Sequence, residues 1–199
     1  MRQPEIISNL IDLFAHLPGI GPKTAERFVY FLLKQPKQFS HQLASGISTL
    51  AQAITQCEIC HSISQTTPCL ICVDPKRDNS KLCVVSETHD VYSIDSTGLY
   101  NGLYHVLNGA LDPLHGITPQ QLTIDHLVEK LQKNKNIQEV ILGLSPDMEG
   151  ETTILYLKKI LTPLGIKLTR LATGLPTGSD LEYADSITLS KALNNRTQA

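Results

Sequence analysis

Four of the five cysteines fall within sixteen residues, as Cys57-x2-Cys60 and Cys69-x2-Cys72, with residues 61–68 between the pairs. Each Cys-x-x-Cys puts two sulfurs on one tight loop. An eight-residue spacer lets the chain turn back so that four thiolates meet around one ion. A structural Zn2+ asks for that arrangement, a tetrahedron with bonds of about 2.3 Å. A redox dithiol is the competing reading, but it uses one pair at a helix N-terminus rather than two facing pairs. Four protein ligands leave no open coordination position, so the expected zinc is structural and not catalytic. His61, next to Cys60, is a minor rival ligand. The fifth cysteine, Cys83, sits in the apolar run Leu82-Cys83-Val84-Val85 and reads as a small buried side chain.

The metal reading is strengthened by compartment. No apolar run approaches the roughly 18 residues of a membrane span. The start, Met1-Arg2-Gln3-Pro4-Glu5, lacks the apolar core of a secretory signal. The chain is therefore expected in the cytoplasm, without a membrane partner, where disulfides are rare and paired cysteines hold metal. Its 199 residues are 41% hydrophobic and 18% charged, which excludes a disordered chain and allows one or two domains with a real core. With 17 basic and 19 acidic residues, the net charge is -2. That excludes a surface coated in basic charge and leaves nucleic-acid binding to a local basic face.

Three textures follow one another. Residues 1–56 read as helical: Leu10, Ile11, Leu13, Phe14 and Leu17 recur at helical spacing until Pro18-Gly19. A second helix starts near Pro22, with Ala25, Phe28, Val29, Leu32 and Leu33 on one face, and ends before Pro36. A third is expected between residues 39 and 55, with Leu43, Ile47, Leu50 and Ile54 as its core stripe. Residues 57–72 hold the cysteines, and the polar stretch 75–80 reads as a boundary. Beyond it, apolar runs at 82–85, 104–107, 140–144, 166–171 and 187–189 read as buried strands. Between them lie helices. One is announced by the capping-box pattern Thr118-Pro119-Gln120-Gln121 and has Leu122, Leu127, Val128 and Leu131 on its core side. Another runs from about Glu149 to Leu161. Alternation of this kind implies an α/β fold with a mostly parallel sheet.

The segment Leu17-Pro18-Gly19-Ile20-Gly21-Pro22-Lys23-Thr24-Ala25 joins the first two helices through a Gly-x-Gly turn. Glycines permit unusual φ and a close backbone approach, and the first amides of the second helix then form an anion site. Ile20 is expected to plug between the helices. Lys23 and Arg27, four residues apart, share a face beside that site. The pattern resembles the helix-hairpin-helix of DNA repair and recombination proteins, which grips the sugar-phosphate backbone without reading sequence. The resemblance makes Gly19, Gly21, Lys23 and Arg27 the DNA-binding candidates. An ordinary αα-hairpin is the plainer reading.

Two expected strands end in acids: Ser86-Glu87 after the first, and Ser145-Pro146-Asp147-Met148-Glu149-Gly150-Glu151 after the 140–144 run. Carboxylates at neighbouring strand ends are where Mg2+ and phosphate chemistry would be found. The arrangement resembles the Toprim domain of topoisomerases, primases and some nucleases. Asp147 matches the second Asp of that family's Asp-x-Asp, and Glu149-Gly150-Glu151 its tail. Ser145 replaces the first Asp, and Glu87 falls one residue after the expected glutamate position, Ser86. Two ligands missing or displaced argue against Mg2+ binding and against catalysis. Asp147, Glu149 and Glu151 are then expected as a docking surface for a basic partner.

Taken in order, these parts resemble the RecR family of bacterial recombination mediators over nearly the whole chain. The resemblance includes Tyr-His-Val-Leu-Asn-Gly-Ala-Leu-Asp-Pro-Leu-His-Gly-Ile at 104–117 and Arg-Leu-Ala-Thr-Gly-Leu-Pro-Thr-Gly-Ser-Asp-Leu-Glu-Tyr-Ala-Asp at 170–185. Thr173 and Ser179 depart from it. It implies a helical hairpin region over 1–56, a four-cysteine zinc finger over 57–72, a Toprim domain over 80–175 and a C-terminal segment over 176–199. It further implies a non-enzymatic adaptor that works with RecO, and with RecF in many bacteria, to place RecA on single-stranded or gapped DNA. A homodimer or ring-like homotetramer would gather Lys23 and Arg27 from several copies, answering the net charge of -2. The alternatives are a small Mg2+-dependent Toprim nuclease acting on DNA or RNA, and a zinc-stapled scaffold without DNA contact.

Overall fold

Pro18-Gly19 and Pro36 divide the N-terminal region into three helices, α1 (Glu5–Ala15), α2 (Pro22–Lys34) and α3 (Lys37–Ala53). The computed structural model describes residues 3–196; Met1 and Arg2 of the expected N-terminal region, and residues 197–199 of the expected C-terminal segment, lie outside the described residues. α1 and α2 pack as a hairpin, with Phe14 edge-on to Phe28 at 5.9 Å between ring centres. Ala25 and Val29 are the buried residues of α2, whereas Phe28 and Leu33, expected on its core face, are exposed. α3 has no buried residue at all. Its expected core stripe is present as a helical face, but Ile47 and Leu50 are 59% and 63% exposed. Periodicity is a local property, while burial needs a facing element. Here Leu43 and Ile47 line an open apolar groove of about 270 Å³ with Phe14 and Val29.

The first compact unit ends at Ile54 and the second begins at Thr55. In the second, β1 (Thr55–Gln56) pairs antiparallel with β2 (Ile63–Ser64) around the first Cys-x-x-Cys, and α4 (Leu70–Val73) starts at the second. Then come β3 (Asp78–Val85), α5 (Thr88–Asp95), β4 (Gly102–Val106), α6 (Ile124–Lys133), β5 (Glu139–Leu142), α7 (Met148–Leu161), β6 (Lys167–Arg170) and α8 (Ser186–Asn194). The sheet order is β4-β3-β5-β6, and all its pairings are parallel. The α/β class expected of this half is the one observed.

Alternate residues of β3 serve different cores. Leu82 and Val84 join Leu127 and Leu131 of α6 and Leu157 and Leu161 of α7. Cys83 and Val85 join Val91 of α5 and Tyr104 and Val106 of β4. A strand buried on both faces reads as an unbroken apolar run, as this one does. Cys83 is 1% exposed, and burial pushes its thiol up to about 12.

Four expectations need correction. Residues 187–189 are not a strand but lie in α8, because the Asp185 carboxylate accepts from the amides of Ile187 and Thr188, both at 2.9 Å, and caps a helix. The 75–80 stretch is not wholly a boundary, since Asp78 already begins β3. Arg77 donates to both carboxylate oxygens of Asp95, at 2.5 and 3.0 Å, which fixes the strand's start. The Thr118 capping box exists but closes only a 3-10 turn, Pro119–Gln121, and α6 starts afresh at Ile124. Finally, α5 follows the first strand end, where no helix was expected. Glu87 and Asp90 close a capping box there, with the Glu87 amide donating to Asp90 at 2.9 Å.

Candidate functional site

The hairpin turn is built from the end of α1. The Leu17 amide donates to the Phe14 carbonyl and the Ile20 amide to the Leu17 carbonyl, at 3.1 and 3.0 Å. Gly19 sits at φ +76°, a conformation that favours glycine. Gly21 is extended at φ -83° and precedes Pro22, the first residue of α2. No side chain caps that N-terminus. A Cβ placed on Gly19 or Gly21 would meet nothing within 4 Å, so the turn's backbone faces open space. Lys23 and Arg27 are exposed, and neither is in an ion pair among the described residues. Ile20 is half-buried. Pro22 has no N–H, and the Thr24 and Ala25 amides both donate to the Gly21 carbonyl at 3.0 Å, so the Lys23 amide is the donor left at the helix start among the described residues. That amide, an approachable backbone and two cations unpaired among the described residues together suit a phosphate.

The four cysteine sulfurs all lie within 4.8 Å of one another. The Cys57–Cys72 and Cys60–Cys69 sulfurs are 3.9 and 3.6 Å apart. A tetrahedral zinc with bonds of about 2.3 Å sets its sulfurs roughly 3.8 Å apart, so the donor set fits that ion. The Cys69 amide also donates to the Cys57 sulfur at 3.3 Å. Among the thiols, Cys60 is drawn below its ordinary value by the neighbouring sulfurs, Cys72 first. Zinc bound here would tie the two knuckles together. The cluster also touches the sheet: the Val106 amide of edge strand β4 donates to the Cys60 carbonyl at 2.8 Å.

The expected acidic residues are placed at neighbouring strand ends, but Asp147, Glu151 and Glu87 are occupied otherwise. Asp147 is the N-cap of α7, accepting from the Gly150 amide at 2.8 Å. Gly150 can only be glycine: a Cβ there would lie 1.9 Å from the Ser145 carbonyl oxygen. Glu151 is held by Arg170 of β6 at 3.1 Å and Lys191 of α8 at 3.7 Å. Glu149 is exposed and, among the described residues, in no ion pair. Glu87 caps α5. Among the described residues, the one group of three or more side chains placed to share a metal is the cysteine cluster.

Sequence reasoning passed over a polar seam where the cysteine loop meets α6. Lys130 donates to the carbonyls of Ile59 and Tyr104, at 3.2 and 3.3 Å. His61, buried, sits edge-on to both His105 and His126, with ring centres 5.1 and 4.8 Å away. His105 is fully buried, bonded through Nε2 to Thr123, and its Nδ1 has no partner. Burial pushes its imidazole down to about 3. Burial, then the neighbouring His126, also lowers His61. These residues lie up to 71 apart in sequence, so no local spacing announces them.

Fold and site define a Toprim-type α/β protein that carries a helix-hairpin-helix unit and a four-cysteine knuckle pair. Residues 80–172 match the family described as Toprim domain. Residues 7–57 match "RecR, helix-hairpin-helix", and residues 174–197 match "RecR, C-terminal". The chain is 48% identical over 193 residues to the recombination protein RecR of Bifidobacterium longum strain DJO10A, covering 97% of this chain and 96% of that one. It is 46% identical over 198 residues to recombination protein RecR of Staphylococcus aureus strain Newman, covering both chains fully. The chain belongs to the RecR family of recombination proteins. No helix among the described residues is long and apolar enough to cross a membrane.

Proposed function

We propose that this protein is a DNA-binding adaptor of recombinational repair, without catalytic residues, that works with RecO, and with RecF, to help load RecA onto single-stranded or gapped DNA. One observation carries the DNA contact: the uncapped, open turn of Gly19 and Gly21 beside the unpaired cations Lys23 and Arg27. A phosphate there would accept from the Lys23 amide at the start of α2 while two side chains offset its charge. Such contacts position DNA without reading its bases. One hairpin binds weakly, so useful affinity comes from several copies in a homodimer or ring-like homotetramer.

The parts divide the work: the helical hairpin region (1–56) for DNA, the cysteine finger (57–72) as a zinc-held brace, and the Toprim domain (80–175) as a docking body, followed by the C-terminal segment (176–199). Asp147, Glu149 and Glu151 are the proposed surface for RecO. The commitment of Asp147 to a helix cap supports docking over Mg2+ chemistry there. A cytoplasmic location suits the reduced cysteines.

The test is equilibrium binding to a labelled gapped duplex at several salt concentrations. The Lys23→Ala/Arg27→Ala protein is expected to bind more weakly and with a shallower salt dependence. Unchanged binding would remove the hairpin from the account.

A further inference from the structure

The seam between the cysteine loop and α6 contains a pair of side chains that the cysteine cluster does not use. His126 Nδ1 and His61 Nε2 lie 3.2 Å apart, although the residues are 65 apart in sequence. Two imidazole nitrogens bound to one ion at about 2.0–2.1 Å are roughly 3.0 Å apart at a right angle and roughly 3.4 Å apart at the tetrahedral angle. The observed separation falls between these values. It also suits a plain hydrogen bond, so the surroundings must decide.

His61 is held where it is. Its backbone is left-handed at φ +61°, its amide donates to the Cys57 carbonyl at 2.8 Å, and its carbonyl accepts from Gln56 at 3.1 Å. Its ring is backed by that of His105. His126 stands on the first turn of α6, exposed. Together they line an open cavity of about 250 Å³, whose rim carries Glu58, Glu129, Lys130 and Lys133. Neither lysine is free to fill it: Lys130 is bonded to two carbonyls, and Lys133 pairs with Glu129 at 3.0 Å. The cavity thus offers two converging nitrogens and solvent access, while the Glu129 carboxylate is taken up by Lys133. Oriented imidazoles with water positions left over are the ligand set of borderline first-row divalent ions.

We propose that His61 and His126 form a second metal site, separate from the four cysteines, that takes Ni2+, Cu2+ or Zn2+ with water completing the shell. An ion there joins the cysteine loop to helix α6, so it braces the finger against the α/β domain.

The probe is Ni2+, added to the full-length, zinc-loaded protein without a histidine tag, with zinc per chain measured before and after. Calorimetry is expected to show one Ni2+ per chain, and the melting temperature is expected to rise. His126→Ala lies on an exposed position and is expected to keep its zinc and its Ni2+-free melting temperature, while losing at least about tenfold in Ni2+ affinity and the thermal shift with it. His61→Asn, which keeps a residue tolerant of left-handed backbone, is expected to keep its zinc and to lose the Ni2+ affinity and the Ni2+-induced shift, from a lower Ni2+-free melting temperature because the buried ring is gone. If the wild type takes up no Ni2+, or if all three proteins give the same isotherm, the pair is only a hydrogen bond and the proposal fails.

Discussion

The two units of this chain use their apolar residues in opposite ways. Around β3, Leu82, Val84, Val85, Leu127 and Leu157 are wholly out of solvent. Among the described residues of the helical unit only Ala25 and Val29 are buried, and α3 leaves Leu43, Ile47 and Leu50 exposed. The difference teaches that a helical stripe predicts a helix more securely than it predicts a core. The α/β unit is stabilised from within by two packed faces. The helical unit leaves much of its apolar face and its cationic turn exposed.

Core truncation should separate the units most. Leu157→Ala is expected to lower unfolding free energy by about 2–5 kcal/mol, whereas Leu50→Ala is expected to stay within about 0.5 kcal/mol. Chemical denaturation measures both, and a comparable loss at Leu50 would show that α3 is covered in solution. Next in size is the Arg77–Asp95 pair. Asp95→Asn is expected to cost about 1.5–3 kcal/mol, because a charge-assisted bond is lost.

That pair also gives a pH dependence. The guanidinium holds the Asp95 carboxyl below its ordinary value of 3.8. The folded value lies under the unfolded one, so the pair's contribution is complete above about pH 4 and is lost as pH falls through the folded value. Acid denaturation of Asp95→Asn should lack this part of the curve; identical pH profiles would contradict the assignment. The smallest stability effect is expected at Glu151→Ala, which removes exposed ion pairs to Arg170 and Lys191 worth about 0–1 kcal/mol. Thermal melts of that variant should barely move.

What could be read from the sequence was local. The Cys-x-x-Cys pairs and the Gly-x-Gly turn announce themselves because spacing within a few residues sets their geometry. The run at 82–85 reads as a buried strand because both of its faces are covered. Residues 187–189 misled because three residues cannot distinguish strand from helix; the informative signal was Asp185 as a cap. A similar cap signal, Glu87 with Asp90 three residues on, preceded α5. The acids at Asp147 and Glu151 were located; Asp147 caps its own helix through Gly150, three residues on, whereas the ion pairs of Glu151 depend on α7, β6 and α8 meeting. The His61–His126 contact spans 65 residues and had no sequence signal.

The central claim is that the open turn at the head of α2 binds DNA phosphate. Gly21 tests it most directly, because its φ suits any residue and a Cβ there touches nothing in the protein. Gly21→Val should fold, at a cost of about 1 kcal/mol at most for the poorer N-cap, yet crowd an approaching phosphate. Measured by fluorescence anisotropy on gapped DNA across a salt series, the account predicts weaker binding with a salt slope shallower by about 0.7–0.9 for each phosphate the variant no longer neutralises. Wild-type affinity and slope in that folded variant would contradict it.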